Sequence, residues 1–346
     1  PYGISETTTL QGGVQLNQRI NGFFKGNNIF TLGGEYLRDD VLDVIPTYNY
    51  NIDQMTESKA LFFQSDWEII PALNLLSGIR MEHHNLADKL IFSPRISVMY
   101  KPRPEIQIRT TWSTGFRAPQ AFDSDLHIAF AGGGVSRIFL AENLKQESSN
   151  SFSASINYDH PTENYIFGFT LEGFYTKLNN AFILAPLGED TFGERFEKQN
   201  GDTARVQGIT VEVRANYKKK IQIETGLNIQ SSRYDSAFDV IEELPPTQEF
   251  LRTPNQYGFA TLNFSPNQKF RSSINYVYTG PMKLLHLAGA PEQSIDVLFT
   301  SKSFSELSFK TSYSFGLKNT TAKLQIFGGI KNILDAYQTD FDSGKN

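Results

Sequence analysis

The sequence contains no cysteine among its 346 residues, which excludes a disulfide framework and any metal site built on thiolates. It also lacks an apolar run close to the roughly 18 residues that a membrane-spanning helix needs. Basic residues are not in excess, since 32 Lys and Arg stand against 37 Asp and Glu and the formal net charge is −5. The chain therefore has no basic patch of the kind that phosphate binding requires, and we expect no nucleic-acid partner.

Aromatic residues, by contrast, are abundant. The chain has 28 Phe and 15 Tyr, and aromatics make up 13% of it, yet its mean hydropathy is only −0.35. Segments rich in rings that also carry Asn, Gln, Ser and Lys are unusual in the packed core of a soluble protein. A transmembrane barrel accounts for both properties, because each of its strands needs only one apolar face.

Alternation of apolar and polar residues is the main structural signal. The odd positions of one segment are Ile209, Val211, Val213, Ala215 and Tyr217, and polar residues occupy the even positions between them. The same period returns around residues 221–229, 106–112, 152–158 and 307–315. The polar positions include charged residues such as Glu212 and Arg214, each of which would cost several kcal/mol in a dry interior. We therefore expect one face toward lipid and the other toward a wet lumen.

Short and long connections alternate between these segments. Short ones fall near residues 21–22, 70–71, 101–104, 159–163, 218–220, 265–268 and 318–321, and long ones cover 43–56, 84–91, 116–147, 180–203, 235–249 and 281–303. Short periplasmic turns and long outer loops are typical of outer-membrane barrels, and the count gives about fourteen strands in seven hairpins. Trp67 lies near a short turn and is expected in the periplasmic aromatic belt. The predicted fold is all-β, an antiparallel transmembrane β-barrel, with a soluble β-sandwich or β-solenoid as the alternative.

Several motifs resemble those of the TonB-dependent outer-membrane receptor family. The segment Gly115-Phe116-Arg117-Ala118-Pro119 is similar to the family's Gly-Phe-Arg-Ala-Pro, which opens a long outer loop. Other similar segments are residues 60–67, 76–82, 92–95, 142–151 and 329–335, although Gln146 stands where the family usually has proline. The resemblance covers at least residues 57 to 337, with the motifs in the family's order. It implies a barrel wall whose outer loops bind substrate.

The chain also departs from the family pattern. The family has a plug domain ahead of the barrel and an energy-coupling box near its N-terminus, and this sequence resembles neither. Plugged outer-membrane transporters have about 22 strands, so about eight strands are expected to lie outside this chain. Residues 340–346 are loop-like, whereas the family closes with a strand that ends in an aromatic residue. We therefore expect residues 1–346 to form a partial barrel domain without a plug and without the closing strand.

Candidate substrate-contacting residues lie at the expected outer loops. They are His127, Arg117, His83, His84 and His286. In haem receptors of the family a His between the Phe-Arg-Ala-Pro segment and an Asn-Pro-Asp-Leu box contacts haem, which makes His127 a haem-ligand candidate, although the second box is reduced here. The pair His83-His84 is a candidate for a divalent metal or haem, with ordinary solvated histidines as the alternative. Arg117 is also expected to anchor its loop by hydrogen bonds at the barrel rim. No metal is identified by the sequence.

No catalytic constellation is present. The sequence has no Gly-x-Ser-x-Gly elbow, no His-Glu-x-x-His and no P-loop, so we expect neither an enzyme nor a cofactor. The resemblance implies a receptor in the outer membrane of a Gram-negative bacterium. It would take up a scarce, bulky nutrient such as an iron chelate, haem or a corrinoid, with energy from the inner-membrane TonB complex acting through the plug. The alternative is a passive porin or an adhesive barrel.

Overall fold

A computed structural model describes residues 3–120, 130–131, 134–135, 137–241, 244–286, 294–317 and 320–337. These residues form 22 strands and a single 3₁₀ turn at Pro46–Tyr48. In chain order the strands are β1 (Ile4–Phe23), β2 (Gly26–Ile45), β3 (Tyr50–Ile70), β4 (Leu73–His84), β5 (Ile91–Arg103), β6 (Ile106–Arg117), β7 (Phe130–Ala131), β8 (Gly134–Val135), β9 (Arg137–Leu140), β10 (Glu147–Pro161), β11 (Tyr165–Asn179), β12 (Phe182–Asp190), β13 (Gly193–Asn200), β14 (Ala204–Tyr217), β15 (Ile221–Phe238), β16 (Thr247–Glu249), β17 (Gln256–Phe264), β18 (Phe270–Thr279), β19 (Lys283–His286), β20 (Val297–Thr300), β21 (Phe304–Gly316) and β22 (Lys323–Ile330). Across this part of the chain no helix has the length and apolar character to span a membrane.

Fourteen of the strands form one antiparallel sheet, which we call the wall. Its order is β1-β2-β3-β4-β5-β6-β10-β11-β14-β15-β17-β18-β21-β22, and the short β16 adds to β15. Each wall strand pairs with the next wall strand along the chain, and the register of β14 with β15 runs unbroken from Ala204↔Tyr234 to Tyr217↔Ile221. The predicted fourteen antiparallel strands are confirmed. In the described residues β1 and β22 are the two edges of the sheet, which is not closed.

The short turns carry the backbone that tight hairpins require. Phe24 and Lys25 have φ of 44° and 70°, and Lys218 and Lys219 have φ of 51° and 56°. Two consecutive residues with positive φ match the right-handed twist of the flanking strands. The sequence placed the first turn at residues 21–22, which is wrong: Gly22 (φ 74°) lies instead at a register shift between Asn21 and Phe23, and the strand continues past it.

The predicted long loop at residues 43–56 is also wrong. Strand β2 continues to Ile45 and β3 begins at Tyr50, so only four residues connect the two strands. These strands have 20 and 21 residues, about twice the 9–11 that cross the hydrocarbon. Ile45, Tyr50 and Ile52 are buried at the far end, so the extension carries apolar residues to a packing site beyond the membrane.

The outward face of the wall carries an apolar belt. On β14, Ile209 and Tyr217 are 53% and 49% exposed and mark its two boundaries, because the outward residues beyond Ile209 are Gln207 and Arg205. Aromatic rings gather at the short-turn end, where Trp67 lies 5.7 Å from Phe23 and 6.1 Å from Phe24 between ring centroids. Trp67 thus lies among rings at the short-turn end, and its place in the periplasmic belt stays a prediction.

Paired polar groups occupy the inward face. Arg80 lies 2.6 Å from carboxylate oxygens of both Glu35 and Glu82, and the Ser58 hydroxyl donates to Glu82 at 2.6 Å. Nearer the short turns, Arg214 lies 2.7 Å from Asp159. Such pairing offsets the cost of removing these charges from bulk water, as expected for a lumen wall.

One inward glycine makes room for a ring. A Cβ on Gly33 would lie 2.3 Å from the Phe62 ring on the neighbouring strand. The glycine therefore relieves crowding between β2 and β3.

Candidate functional site

A second, smaller sheet lies among the outer loops. Strands β12 and β13 form a hairpin in the loop between β11 and β14, and β13 pairs in parallel with β9 from the loop between β6 and β10. The parallel pairing covers four residue pairs, from Arg195↔Arg137 to Lys198↔Leu140. Two loops that are remote in sequence are thereby joined by backbone hydrogen bonds. The sequence predicted both regions only as long connections.

An apolar cluster packs beneath this sheet. Its buried members are Ile45, Tyr50, Ile52, Ile138, Phe196 and Ile241, and Tyr48, Leu140, Leu184, Leu244 and Leu285 pack against them. They come from five connections between wall strands and from the strand ends beside them. The Tyr50 hydroxyl donates to the Ile138 carbonyl at 3.1 Å, which ties the β2–β3 connection to β9. We call strands β9, β12 and β13 together with this cluster the cap.

Arg137 is the central charged residue of the cap. It is 4% exposed, is paired with Asp190, and donates to the Tyr48 carbonyl at 3.4 Å. Its guanidinium carbon lies 5.1 Å from the Phe192 ring centroid. The backbone N–H of Phe192 donates to Asp190 at 2.8 Å, and this bond together with Arg137 holds the pKa of the Asp190 carboxyl below its ordinary value. The pair fixes the hairpin tip to β9.

Two cations lie close to the Phe182 ring. The Arg117 guanidinium carbon and the Lys198 ammonium nitrogen are 4.7 Å and 4.6 Å from its ring centroid. Lys198 is 1% exposed, and its ammonium donates to the Gln120 carbonyl at 3.5 Å. Glu147 completes the arrangement, because it lies 3.5 Å from Arg117 and accepts the Phe182 N–H at 3.1 Å. A cation over a ring contributes about 0.5–2 kcal/mol, more when the cation is desolvated.

Cations and rings therefore converge at the outer mouth. Arg195 adds a further guanidinium 5.3 Å from the Phe139 ring centroid. Guanidinium groups bind carboxylates and other planar anions in two-bond geometry, and aromatic faces stack on conjugated ligands. This combination suits an anionic, partly aromatic solute.

The predicted residue Arg117 lies at the end of β6, at the rim of the cap. It contacts Glu147 and Phe182, and its role as a loop anchor stays a prediction. His127 lies outside the described residues.

The two adjacent histidines do not converge. His84 is 8% exposed and lies on the inward face of β4, where its Nδ1 accepts the Leu86 N–H at 3.2 Å. His83 is exposed on the opposite, outward face because side chains alternate along a strand. The described residues hold no group of three or more His, Asp or Glu placed to bind a metal ion.

His286 lies on β19, in another outer loop. Its ring stacks on Phe299 with the centroids 5.2 Å apart. The neighbouring Leu285 packs against the cap cluster. The structure therefore brings Arg117 and the region of His286 to the cap and leaves His83 on the outward face.

Comparison with known families identifies the wall. The family model for the β-barrel of TonB-dependent receptors matches residues 2–333. The chain belongs to the TonB-dependent receptor family. Its members are outer-membrane β-barrel receptors of Gram-negative bacteria. No curated protein sequence matches the chain.

Solved structures share the fold. The siderophore receptor PirA from Pseudomonas aeruginosa matches with a TM-score of 0.71 at 16% identity, over 98% of this chain and 56% of that one. The ferric-catecholate import receptor Fiu from K12 E. coli gives 0.72 at 13% identity over 99% and 53%. The FrpB iron transporter from Neisseria meningitidis gives 0.68 at 12% identity over 99% and 53%. This TonB-dependent receptor chain spans about half the length of those receptors.

Several cap residues were not predicted from the sequence. Phe182, Lys198 and Arg137 lie in segments that were predicted as loops. Strand β13 gave no alternation to detect, because Phe196 is its only large apolar residue and charged Lys198 shares the face of Phe196. The parallel partner β9 has only four residues, which is too short a run for periodicity to reveal.

Proposed function

We propose that this chain is the substrate-binding wall and cap of a TonB-dependent receptor for an anionic iron chelate. The observation that supports it is that two partly exposed guanidinium groups, those of Arg117 and Arg195, each lie beside an aromatic ring at the outer mouth. A chelate whose donor groups are deprotonated oxygens on aromatic rings presents both negative charge and flat apolar surface. Siderophore and iron receptors among the structural neighbours support this choice over haem or a corrinoid.

Energy for uptake would come from outside this chain. We propose that the whole of residues 1–346 belongs to one barrel domain, and that a plug elsewhere in the receptor couples to the inner-membrane TonB complex. In this scheme the cap binds the chelate and the wall provides the passage.

The test uses the full-length receptor in detergent and ferric chelates of opposite charge. Removing one exposed cation with Arg195→Gln should weaken binding of an anionic tris-catecholate chelate by about tenfold, as expected for one lost charge-assisted bond. Binding of a neutral or cationic chelate should change little. Leu187→Gln, on the exposed side of the same hairpin, is the matched control and should behave as the parent. The same loss of affinity for all chelates, or no loss of affinity for the anionic one, would contradict the proposal.

A passive porin is the alternative function, and it predicts a different readout. An open barrel conducts ions in a planar bilayer, whereas a receptor whose lumen is plugged should show almost no conductance. Growth of a deletion strain on single iron sources supplies the second measurement. Steady open conductance together with normal growth on every iron source would favour the porin.

A further inference from the structure

Three arginines descend the wall from the rim of the cap at equal steps. Strand β6 carries Arg117 at its outer end and Arg109 eight positions nearer its short turn. Arg95 on β5 lies halfway between them, because it pairs with Ser113 of β6. Each step is therefore four residues, about 13 Å along the strand at about 3.3 Å per residue. We call Arg117, Arg95 and Arg109 the ladder.

The ladder lies on the inward face of the wall. The inward residue Arg80 of β4 pairs with Ser93 of β5, and strand alternation places Arg95 on the same face as Ser93. Met99 follows on that face, and its sulfur lies 3.7 Å from an Nη of Arg109. The side chains of Arg95 and Arg109 are both exposed. Their guanidinium groups therefore face the lumen.

The two lower steps of the ladder carry charge that is not neutralised. Arg80, Arg117 and Arg214 each have a carboxylate within 3.5 Å. In the described part of the chain Arg95 and Arg109 form no ion pair, and strands β5 and β6 contain no Asp or Glu. Guanidinium groups that face a lumen of low dielectric without a counter-charge attract anions.

Small hydroxyl side chains surround these two arginines on the inward face of β5, β6 and β10. They are Ser93, Ser97, Thr111, Ser113, Ser149, Ser151, Ser153 and Ser155. Ser155 pairs with Arg109 across β10 and β6 and is only 9% exposed, yet its hydroxyl has no hydrogen-bond partner among the described residues. Such side chains leave space beside the guanidinium groups, and their hydroxyls can donate to an anionic oxygen.

We propose that an anionic iron chelate leaves the cap and moves down the lumen along the ladder, contacting Arg117, Arg95 and Arg109 in turn. This inference rests on the proposed function. Arginine and lysine side chains select anions in pores, and several weak sites in series allow a solute to enter and to leave. The chelate is the occupant because the ladder begins at Arg117, beside the site proposed to bind it.

The test separates binding from uptake in the full-length receptor. Arg95→Gln combined with Arg109→Gln should leave the affinity for an anionic tris-catecholate chelate in detergent unchanged, because the cap is intact. The maximal rate of iron uptake from this chelate by cells should fall about tenfold, on the scale of one lost charge-assisted contact. Uptake from a neutral chelate should change little.

The matched control is Arg19→Gln. Arg19 is an exposed arginine on the inward face of β1 that also forms no ion pair within the described residues, but it lies outside the ladder. Uptake by this variant should equal that of the parent at the same amount of receptor in the outer membrane. Arg95→Lys combined with Arg109→Lys retains the charge and should restore most of the uptake.

Two outcomes would overturn the ladder. The first is uptake by the double glutamine variant at the parental rate. The second is steady ion conductance of that variant in a planar bilayer with equal loss of uptake from both chelates, which would show that the two arginines hold the plug. If the parent binds no anionic chelate, the proposed function fails and the ladder fails with it. Binding that depends on Arg195 with uptake that is independent of Arg95 and Arg109 would reject the ladder alone.

Discussion

The wall and the cap are held together in different ways. Every wall strand pairs with its neighbour along the chain, so its hydrogen bonds join segments that are close in sequence. The cap joins residues far apart, such as Tyr50 and Ile138, which are 88 positions apart. The wall has one face in lipid and one in the lumen and needs no packed core of its own, whereas the cap has a small dry core of six buried residues.

The two regions therefore differ in what determines the environment of a residue, which is the local sequence in the wall and packing in the cap. In the wall each residue's environment follows from its position along an alternating strand. In the cap it depends on contacts between connections that are remote in sequence. Destabilising mutations in the wall should therefore prevent membrane insertion, whereas those in the cap should loosen a receptor that has inserted.

The largest expected effect is in the cap core. Phe196 is 6% exposed at the centre of the cluster, and Phe196→Ala should destabilise the cap by about 3–5 kcal/mol. Hydrogen exchange should rise in β9, β12 and β13 and stay unchanged in β14 and β15. Leu187→Ala, at a residue that is 43% exposed on the same hairpin, is the control and should alter neither region. Uniform exchange throughout the protein would show that cap and wall unfold together.

The wall is tested by a charge in the apolar belt. Val213 lies midway between Ile209 and Tyr217 on the outward face of β14, and Val213→Arg should cost about 2–4 kcal/mol near the bilayer midplane. Equilibrium unfolding of the receptor in lipid vesicles measures the change. Gln222→Arg on β15 places the same charge on the exposed inward face and should cost much less. Similar losses from both substitutions would contradict the assignment of faces.

The third effect is smaller and concerns the ion pair of the cap. Asp190→Ala leaves the buried Arg137 without its carboxylate, and removing one partner of such a pair destabilises more than replacing both by apolar residues. The double variant Arg137→Met with Asp190→Leu should therefore show less added hydrogen exchange in β9 than Asp190→Ala alone. If the double variant is the more dynamic of the two, the pair itself contributes net stability.

The sequence predicted the wall well and the cap poorly, for a physical reason. Alternation at positions such as 209–217 follows directly from a strand with lipid on one side and water on the other, so the number of strands and their faces could be read from it. The prediction of a long loop at 43–56 was wrong because Ile45 and Ile52, at the ends of the extended strands, pack in the cluster that also contains Phe196. No local pattern encodes packing between segments so far apart in sequence. Arg117 was found through a family motif, whereas Lys198 acquires its environment from a hairpin that pairs with β9.

The smallest effect is the response of the cap to acid. The folded pKa values of Asp190 and Asp202 are lowered, the first by the Phe192 N–H and Arg137, the second chiefly by the hydroxyl of Ser236. A group with a depressed folded pKa stabilises the native state above its unfolded pKa of about 4, and this contribution is lost as the pH falls through the folded value. Both carboxyls lie in the loop between β11 and β14, so acidification below about pH 4 should loosen that loop first. The β-strand structure of the wall should persist below pH 4, because its backbone hydrogen bonds do not titrate.

Hydrogen exchange at pH 5 and pH 3, corrected for the intrinsic rate, measures the change in the cap. Asp190→Asn should lose part of this pH dependence. If hydrogen exchange in that variant responds to pH as in the parent, Asp190 does not contribute to the effect.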